Sequence, residues 1–274
     1  MAVVGGEGWA LHHEEHGTGD PILGIHGSPS AAVFWSEAAQ ELGRLGRVIL
    51  YDRRGYLRSE ITPAPPPCDL ADQVADAAAL LTALADSPAV VIGRSTGGLI
   101  ALALAIEHPE LVRALVLLEP AVLAVDDGAR TWAVGVRRAV LAAADRDPSD
   151  AARAMFDHAL GPQLWRGLPQ EARDLFTAGS PALLAELRGH GLDLSADPFQ
   201  PTDEQLASVR VPALVVSGAD SARELHAVNA RLVAGLPGAR REVVPGGHLI
   251  DPAHPVVREF VAEVLGTQPS AGGA

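Results

Sequence analysis

Short apolar runs alternate with longer segments of helical spacing along most of the chain. Residues 21–27 (PILGIHG), 47–51 (RVILY), 89–92 (AVVI) and 114–118 (ALVLL) are rich in β-branched and aliphatic side chains, and turn residues follow or close each of them. Runs of this kind read as strands buried on both faces. Residues 31–45, 69–85 and the Ala/Leu segment that ends at His108-Pro109 read as helices between them. Strands and helices alternating at this rhythm predict a parallel sheet wrapped on both faces. Ahead of it, residues 2–16 suggest an edge hairpin closed by the turn Gly17-Thr18-Gly19-Asp20-Pro21.

The alternation stops after residue 120. Residues 121–208 are helix-like throughout, punctuated by Asp147-Pro148, Gly161-Pro162, Ser180-Pro181 and Asp197-Pro198, with no strand-like run. Strands then resume at 211–217 and 241–244, separated by a helix over 222–236 and followed by another over 253–265. The expected architecture is α/β: a mostly parallel, doubly wound sheet with a helical lid inserted after the sixth strand. Residues 1–120 and 209–267 form one discontinuous core, 121–208 the lid, and 268–274 a small-residue tail expected to be disordered.

Composition narrows the function. The chain has 274 residues, 48% of them hydrophobic, which suits one α/β domain with an insertion. Net charge is −13 and all 21 basic residues are arginine, so neither nucleic acid nor an anionic membrane is the expected partner. Without lysine there is no P-loop and no Schiff base. The single cysteine, Cys68, allows no internal disulfide and fits a reducing compartment. The N-terminus lacks the basic and apolar regions of a signal peptide, and no apolar run is long enough to span a bilayer. A cytoplasmic protein acting on a small molecule is expected, with the oligomeric state left open.

The chemistry centres on Gly93-Arg94-Ser95-Thr96-Gly97-Gly98, between a strand and a helix. Gly-x-Ser-x-Gly in that setting spells a nucleophile elbow, a turn so tight that a bulky Cβ two residues before or after the serine does not fit. A serine hydroxyl needs a base, and His248, on the Gly246-Gly247-His248 loop after a late strand, is the candidate. His12-x-x-Glu15-His16 imitates a zinc-peptidase spelling, but turn signals crowd it too closely for the helix such a site needs. The expected reading there is a solvated strand face and no metal.

With His26-Gly27-Ser28-Pro29, Asp52-Arg53-Arg54-Gly55, the elbow and Gly246-Gly247-His248 in this order, the chain resembles lidded members of the α/β-hydrolase fold family over residues 8–266. The resemblance implies an oxyanion hole made by the backbone N–H groups of Ser28 and Thr96. Asp52-Arg53-Arg54-Gly55 is expected to order its own loop by ion pairing, although Leu57 stands where relatives often have glycine. The family's usual acid position, three residues after the glycine that closes the penultimate strand, holds Ser221. Two candidates remain open: Asp220, one residue early and able to cap a helix, and Glu119, in a segment similar to that of haloalkane dehalogenases whose acid comes from the strand after the elbow helix.

The expected activity is cleavage of an ester, thioester or lactone of a small apolar molecule through an acyl-enzyme on Ser95, with no cofactor and no metal. His26, Arg94, Trp132, Phe156 and Trp165 are candidate substrate contacts. The same scaffold also admits a cofactor-free perhydrolase or haloperoxidase, an acyl transferase or cyclase, and a ligand receptor with little turnover.

Overall fold

The structure, a computed structural model, describes residues 2–6, 9–59 and 67–267. Eight strands form one sheet: β1 (Ala2–Gly6), β2 (Trp9–His16), β3 (Pro21–Ile25), β4 (Arg47–Tyr51), β5 (Ala89–Arg94), β6 (Val112–Leu118), β7 (Ala213–Gly218) and β8 (Arg240–Val244). Their order is β1-β2-β4-β3-β5-β6-β7-β8. β2 is antiparallel to β1 and β4, and the rest pair in parallel. The chain leaves β3 for β4 on one side and returns to β5 on the other. That reversal opens a crevice at the carboxyl ends of β3 and β5, where ligands bind in sheets of this kind.

Eleven helices accompany the sheet among the described residues: α1 (Ser36–Leu42), α2 (Leu70–Leu84), α3 (Thr96–Glu107), α4 (Asp127–Ala144), α5 (Asp150–Met155), α6 (Pro162–Gly167), α7 (Gln170–Ala178), α8 (Ser180–Arg188), α9 (Asp203–Ser208), α10 (Arg223–Gly235) and α11 (Pro255–Leu265). The strands read as unbroken apolar runs because both faces are covered. Val90 and Ile92 pack with residues of α1 and α11, whereas Val91 packs with residues of α2, α3 and α10. Helices α4 to α9 all lie between β6 and β7 in the chain. Side chains of α4, α5 and α8 join the α2/α3 core, while Phe156, Trp165 and Phe176 form a small cluster of their own.

Several local expectations need correction. The segment expected as one helix over 31–45 begins as a 3-10 turn, Ala32–Trp35, and becomes α-helical only from Ser36. Within the insertion, Phe156–Leu160 is a π-helical turn ending at Gly161, whose φ is +90°. β2 is not a solvated face: it lies between β1 and β4, and His12 and His13 are buried. The tail 268–274 and residues 60–66 of the proline-rich loop lie outside the described residues. No described helix is long and apolar enough to cross a membrane.

Candidate active site

Ser95 sits between β5 and α3 with φ 56° and ψ −123°, a conformation that L-residues rarely adopt outside strained turns. Backbone crowding explains the flanking glycines. A Cβ on Gly93 would lie 2.3 Å from the Gly97 carbonyl oxygen, and one on Gly97 would lie 2.1 Å from that of Ile25. Thr96 opens α3, so its N–H belongs to the first turn, where no intrahelical acceptor exists. The turn after β3 packs against the elbow from the other side. A Cβ on Gly27 would lie 3.0 Å from Ser95 Cβ and 3.7 Å from Ser95 Oγ, so the turn that carries Ser28 lies directly against the elbow.

His248 follows β8, and its Nδ1 is 2.8 Å from Glu119 Oε2. Because an ionised carboxylate only accepts, Nδ1 carries the hydrogen, and Nε2 is left with its lone pair. Glu119 follows β6 with φ 44° and is fully buried. Its other oxygen accepts the Gly218 N–H at 2.8 Å, and the Ser221 hydroxyl donates to Oε2 at 2.9 Å. The carboxylate is therefore held by three donors. Asp220 is exposed; its backbone N–H donates to Gly246, and the α10 cap position is Ala222, with no side-chain cap. Of the two acids left open by the sequence, the fold brings Glu119 to the histidine.

The Ser28 turn is braced from the helical insertion. Arg53, fully buried, donates to Glu186 Oε1 of α8 at 2.7 Å and to the Gly27 carbonyl at 3.2 Å. Glu186 Oε2 also accepts the hydroxyls of Ser28 at 2.6 Å and Tyr56 at 3.0 Å. Arg54 pairs with Asp76 and Arg58 with Asp52, so the Asp52-Arg53-Arg54-Gly55 loop is held by ion pairs. Leu57 adopts φ 36°, a left-handed value in which glycine would carry no Cβ penalty.

Ser95 and His248 face one inner cavity of about 20 Å³, room for about one water molecule. Its walls are mainly apolar, with Leu123, Trp132, Met155, Leu160 and Leu225 among them. Asp193 also lines it. An outer cavity of about 510 Å³ shares Trp132, Ala159, Leu160, Leu225 and His248 with the inner one and includes Asp220 and Leu249. The shared side chains form the partition between vestibule and serine.

Four side chains expected at the substrate are placed elsewhere. Both ring nitrogens of His26 are engaged, Nδ1 with the Gly27 carbonyl at 2.8 Å and Nε2 with the Arg53 N–H at 3.0 Å. Burial, aided by the Arg53 charge, holds this imidazole well below its usual pKa, so it is a neutral brace. Arg94 is not among the residues lining the cavity; it donates to the Ile250 carbonyl at 3.1 Å and lies over the Trp35 ring, and burial lowers its pKa to about 10. Phe156 and Trp165 pack edge to face within the insertion, at a ring separation of 5.2 Å. Trp132 does line the cavities. Cys68 is buried, and burial pushes its thiol up to about 12, leaving no reactive thiolate. Among the described residues no group of three or more His, Cys, Asp or Glu side chains could hold a metal ion.

Sequence reasoning missed Glu186, Asp193 and the supporting role of Ser221. An acid inside the apolar helix segment SPALLAELR and another between two leucines in GLDLS were the available signals.

Comparison with known proteins agrees with the geometry. Residues 20–251 match the family model described as alpha/beta hydrolase fold. A proposed carbamate hydrolase, RutD, from Azorhizobium caulinodans is 31% identical over 252 residues, covering 90% of this chain and 91% of its own. The lipase LipV of Mycobacterium tuberculosis is 38% identical over 144 residues, 52% of each chain. The crystal structure of an alpha/beta hydrolase from Sphaerobacter thermophilus superposes with a TM-score of 0.76 at 26% identity, covering 94% of this chain and 99% of that one. By sequence, fold and relatives alike, the chain belongs to the alpha/beta hydrolase fold family and is a hydrolase.

Proposed function

We propose that this hydrolase cleaves an ester, thioester or lactone of a small, mainly apolar molecule through an acyl-enzyme on Ser95. One observation carries the reading: Ser95, on a strained elbow, and His248, tied to buried Glu119, line the same cavity. Ser95 Oγ attacks the carbonyl carbon while His248 Nε2 takes its proton. The carbonyl oxygen becomes an oxyanion, held by the N–H groups of Thr96 and Ser28. His248 then gives the proton to the leaving oxygen or sulfur, and the acyl group stays on Ser95. A water molecule, deprotonated by His248, attacks that ester and releases the acid. Glu119 fixes the imidazole tautomer and stabilises the imidazolium formed in both steps.

Helices α4 to α9 act as the lid in this reading. The inner cavity is narrow, and in this reading the partition formed by Trp132 and Leu160 opens to admit the acyl chain. The π-turn at Phe156–Leu160 carries one half of that partition. The RutD relative makes carbamates a natural addition to the substrate panel, since the same attack on a carbonyl serves them. Steady-state hydrolysis of p-nitrophenyl esters tests the proposal. Multiple turnovers that fall about 10⁴-fold in Ser95→Ala are expected, and equal turnover by both proteins would contradict it.

A further inference from the structure

Asp193 belongs to neither the Ser95–His248–Glu119 set nor the Arg53–Glu186 brace, yet it faces the reacting serine. It lies in the loop between α8 and α9, with Leu192 and Leu194 on either side buried in the main core. Asp193 and Leu194 both line the cavity shared with Ser95 and His248, and Asp193 also borders a second cavity lined by Arg130 and Arg137. Asp193 is 6% exposed, and apart from Ser95 and His248 the other side chains lining the first cavity are apolar. A carboxylate in such a wall is costly unless something there uses it.

What holds it is slight. Asp193 Oδ1 accepts the Thr96 hydroxyl at 3.1 Å, its own backbone N–H and the more distant Arg53 charge add support, and no salt bridge among the described residues reaches it. An ionised carboxylate has room for about four donors. Burial, reinforced by the Glu186 charge, raises its pKa to about 7, which marks an acid short of partners. Anchoring a threonine hydroxyl requires only a neutral acceptor, so that bond does not account for a buried acid. Its location is informative as well. Thr96 supplies one of the N–H groups assigned to the oxyanion, so the carboxylate stands close to the place proposed for the reacting carbonyl, in the cavity whose Leu123, Met155 and Leu225 walls suit an apolar acyl group.

We propose that Asp193 is a specificity-determining residue that recognises a hydrogen-bond donor on the acyl part of the substrate. The inference rests on the serine-hydrolase reading and narrows its substrate class. The preferred acyl group is mainly apolar, matching Leu123, Met155 and Leu225, and carries a hydroxyl or N–H close to its carbonyl.

The test compares p-nitrophenyl butyrate with its racemic 2-hydroxy and 3-hydroxy counterparts, using wild type, Asp193→Asn and Asp193→Leu. In parallel, a fluorophosphonate adduct at Ser95 is read by intact mass on each protein. Wild type is expected to favour at least one hydroxy ester by tenfold or more in kcat/KM. Asp193→Leu reduces that ratio to about one, and Asp193→Asn, which keeps an acceptor oxygen, falls between. A Ser95 adduct on all three proteins with an unchanged ratio, or a wild-type ratio near one for both hydroxy esters, overturns the assignment of Asp193 alone. No Ser95 adduct on folded wild type overturns the serine-hydrolase reading and this inference with it.

Discussion

Ser221, three residues after the glycine that closes β7, donates its hydroxyl to Glu119 Oε2 at 2.9 Å. The family resemblance leads one to expect the acid itself at the position of Ser221. Here the carboxylate comes from the neighbouring strand instead, and the residue in the usual place has become one of its donors. The parallel pairing of β6 with β7, Leu118 opposite Val216, puts the two strand ends side by side and makes the exchange possible. Glutamate suits the longer reach: from β6 it crosses the end of β7 to meet His248 beyond β8.

Glu119→Gln is expected to lower kcat by about 10²- to 10⁴-fold, because an amide neither fixes the tautomer nor stabilises the imidazolium. Asp220→Asn, at an exposed side chain, is expected to stay within about threefold of wild type. Steady-state kinetics on one ester decides this. A larger loss in Asp220→Asn than in Glu119→Gln would return the role to Asp220.

The buried pair Arg53–Glu186 joins the Ser28 turn to the insertion and is sensitive to loss of one member. Glu186→Ala leaves the Arg53 guanidinium buried without its carboxylate, at a cost of about 3–5 kcal/mol in unfolding free energy. The double substitution Arg53→Met with Glu186→Leu recovers most of that stability. Urea denaturation checks both values. The double variant is also expected to lose activity, since Gly27 and Ser28 lose their anchors.

His26 gives stability a pH dependence of known sign. Its folded pKa is depressed, so below about pH 6.5 the unfolded chain takes up a proton that the folded chain refuses. The stability tied to a neutral His26 is complete above that pH and is lost as pH falls, by at most about 1.4 kcal/mol per pH unit. Buried His13 is shifted the same way, chiefly by burial, and adds to the slope. Denaturation between pH 7.5 and 5 should show a shallower slope in His26→Gln; an identical slope would contradict a neutral, buried His26.

In the proposed mechanism the partition between the cavities governs which acyl groups reach Ser95. Leu160→Ala is expected to raise kcat/KM for p-nitrophenyl octanoate over that for the acetate by about tenfold, since truncation opens the inner cavity toward the vestibule. An unchanged ratio would place the entry path elsewhere.

Much of this was legible in the sequence because it is local. The run Ala-Val-Val-Ile before Gly93 and the Ala/Leu segment after Gly97 identify strand, elbow and helix without any partner. Boundaries moved where local chemistry is subtler: Pro212 cannot donate to a ladder, and β7 begins only at Ala213. The π-turn Phe156–Leu160 has no compositional mark. The acid stayed open for a different reason. Glu119 meets His248 across 129 residues, and Arg53 meets Glu186 across 133, distances at which only the folded sheet shows who is adjacent. The aromatic residues Phe156 and Trp165 looked like pocket walls because a lid core and a pocket wall have the same composition.

The most direct measurement is the intact mass of the protein after treatment with a fluorophosphonate, for wild type and Ser95→Ala. One adduct on wild type that is absent from Ser95→Ala is the expected result, and its rate should fall in Glu119→Gln along with turnover. An adduct that persists in Ser95→Ala, or none on folded wild type while a control hydrolase is labelled, would contradict an activated Ser95.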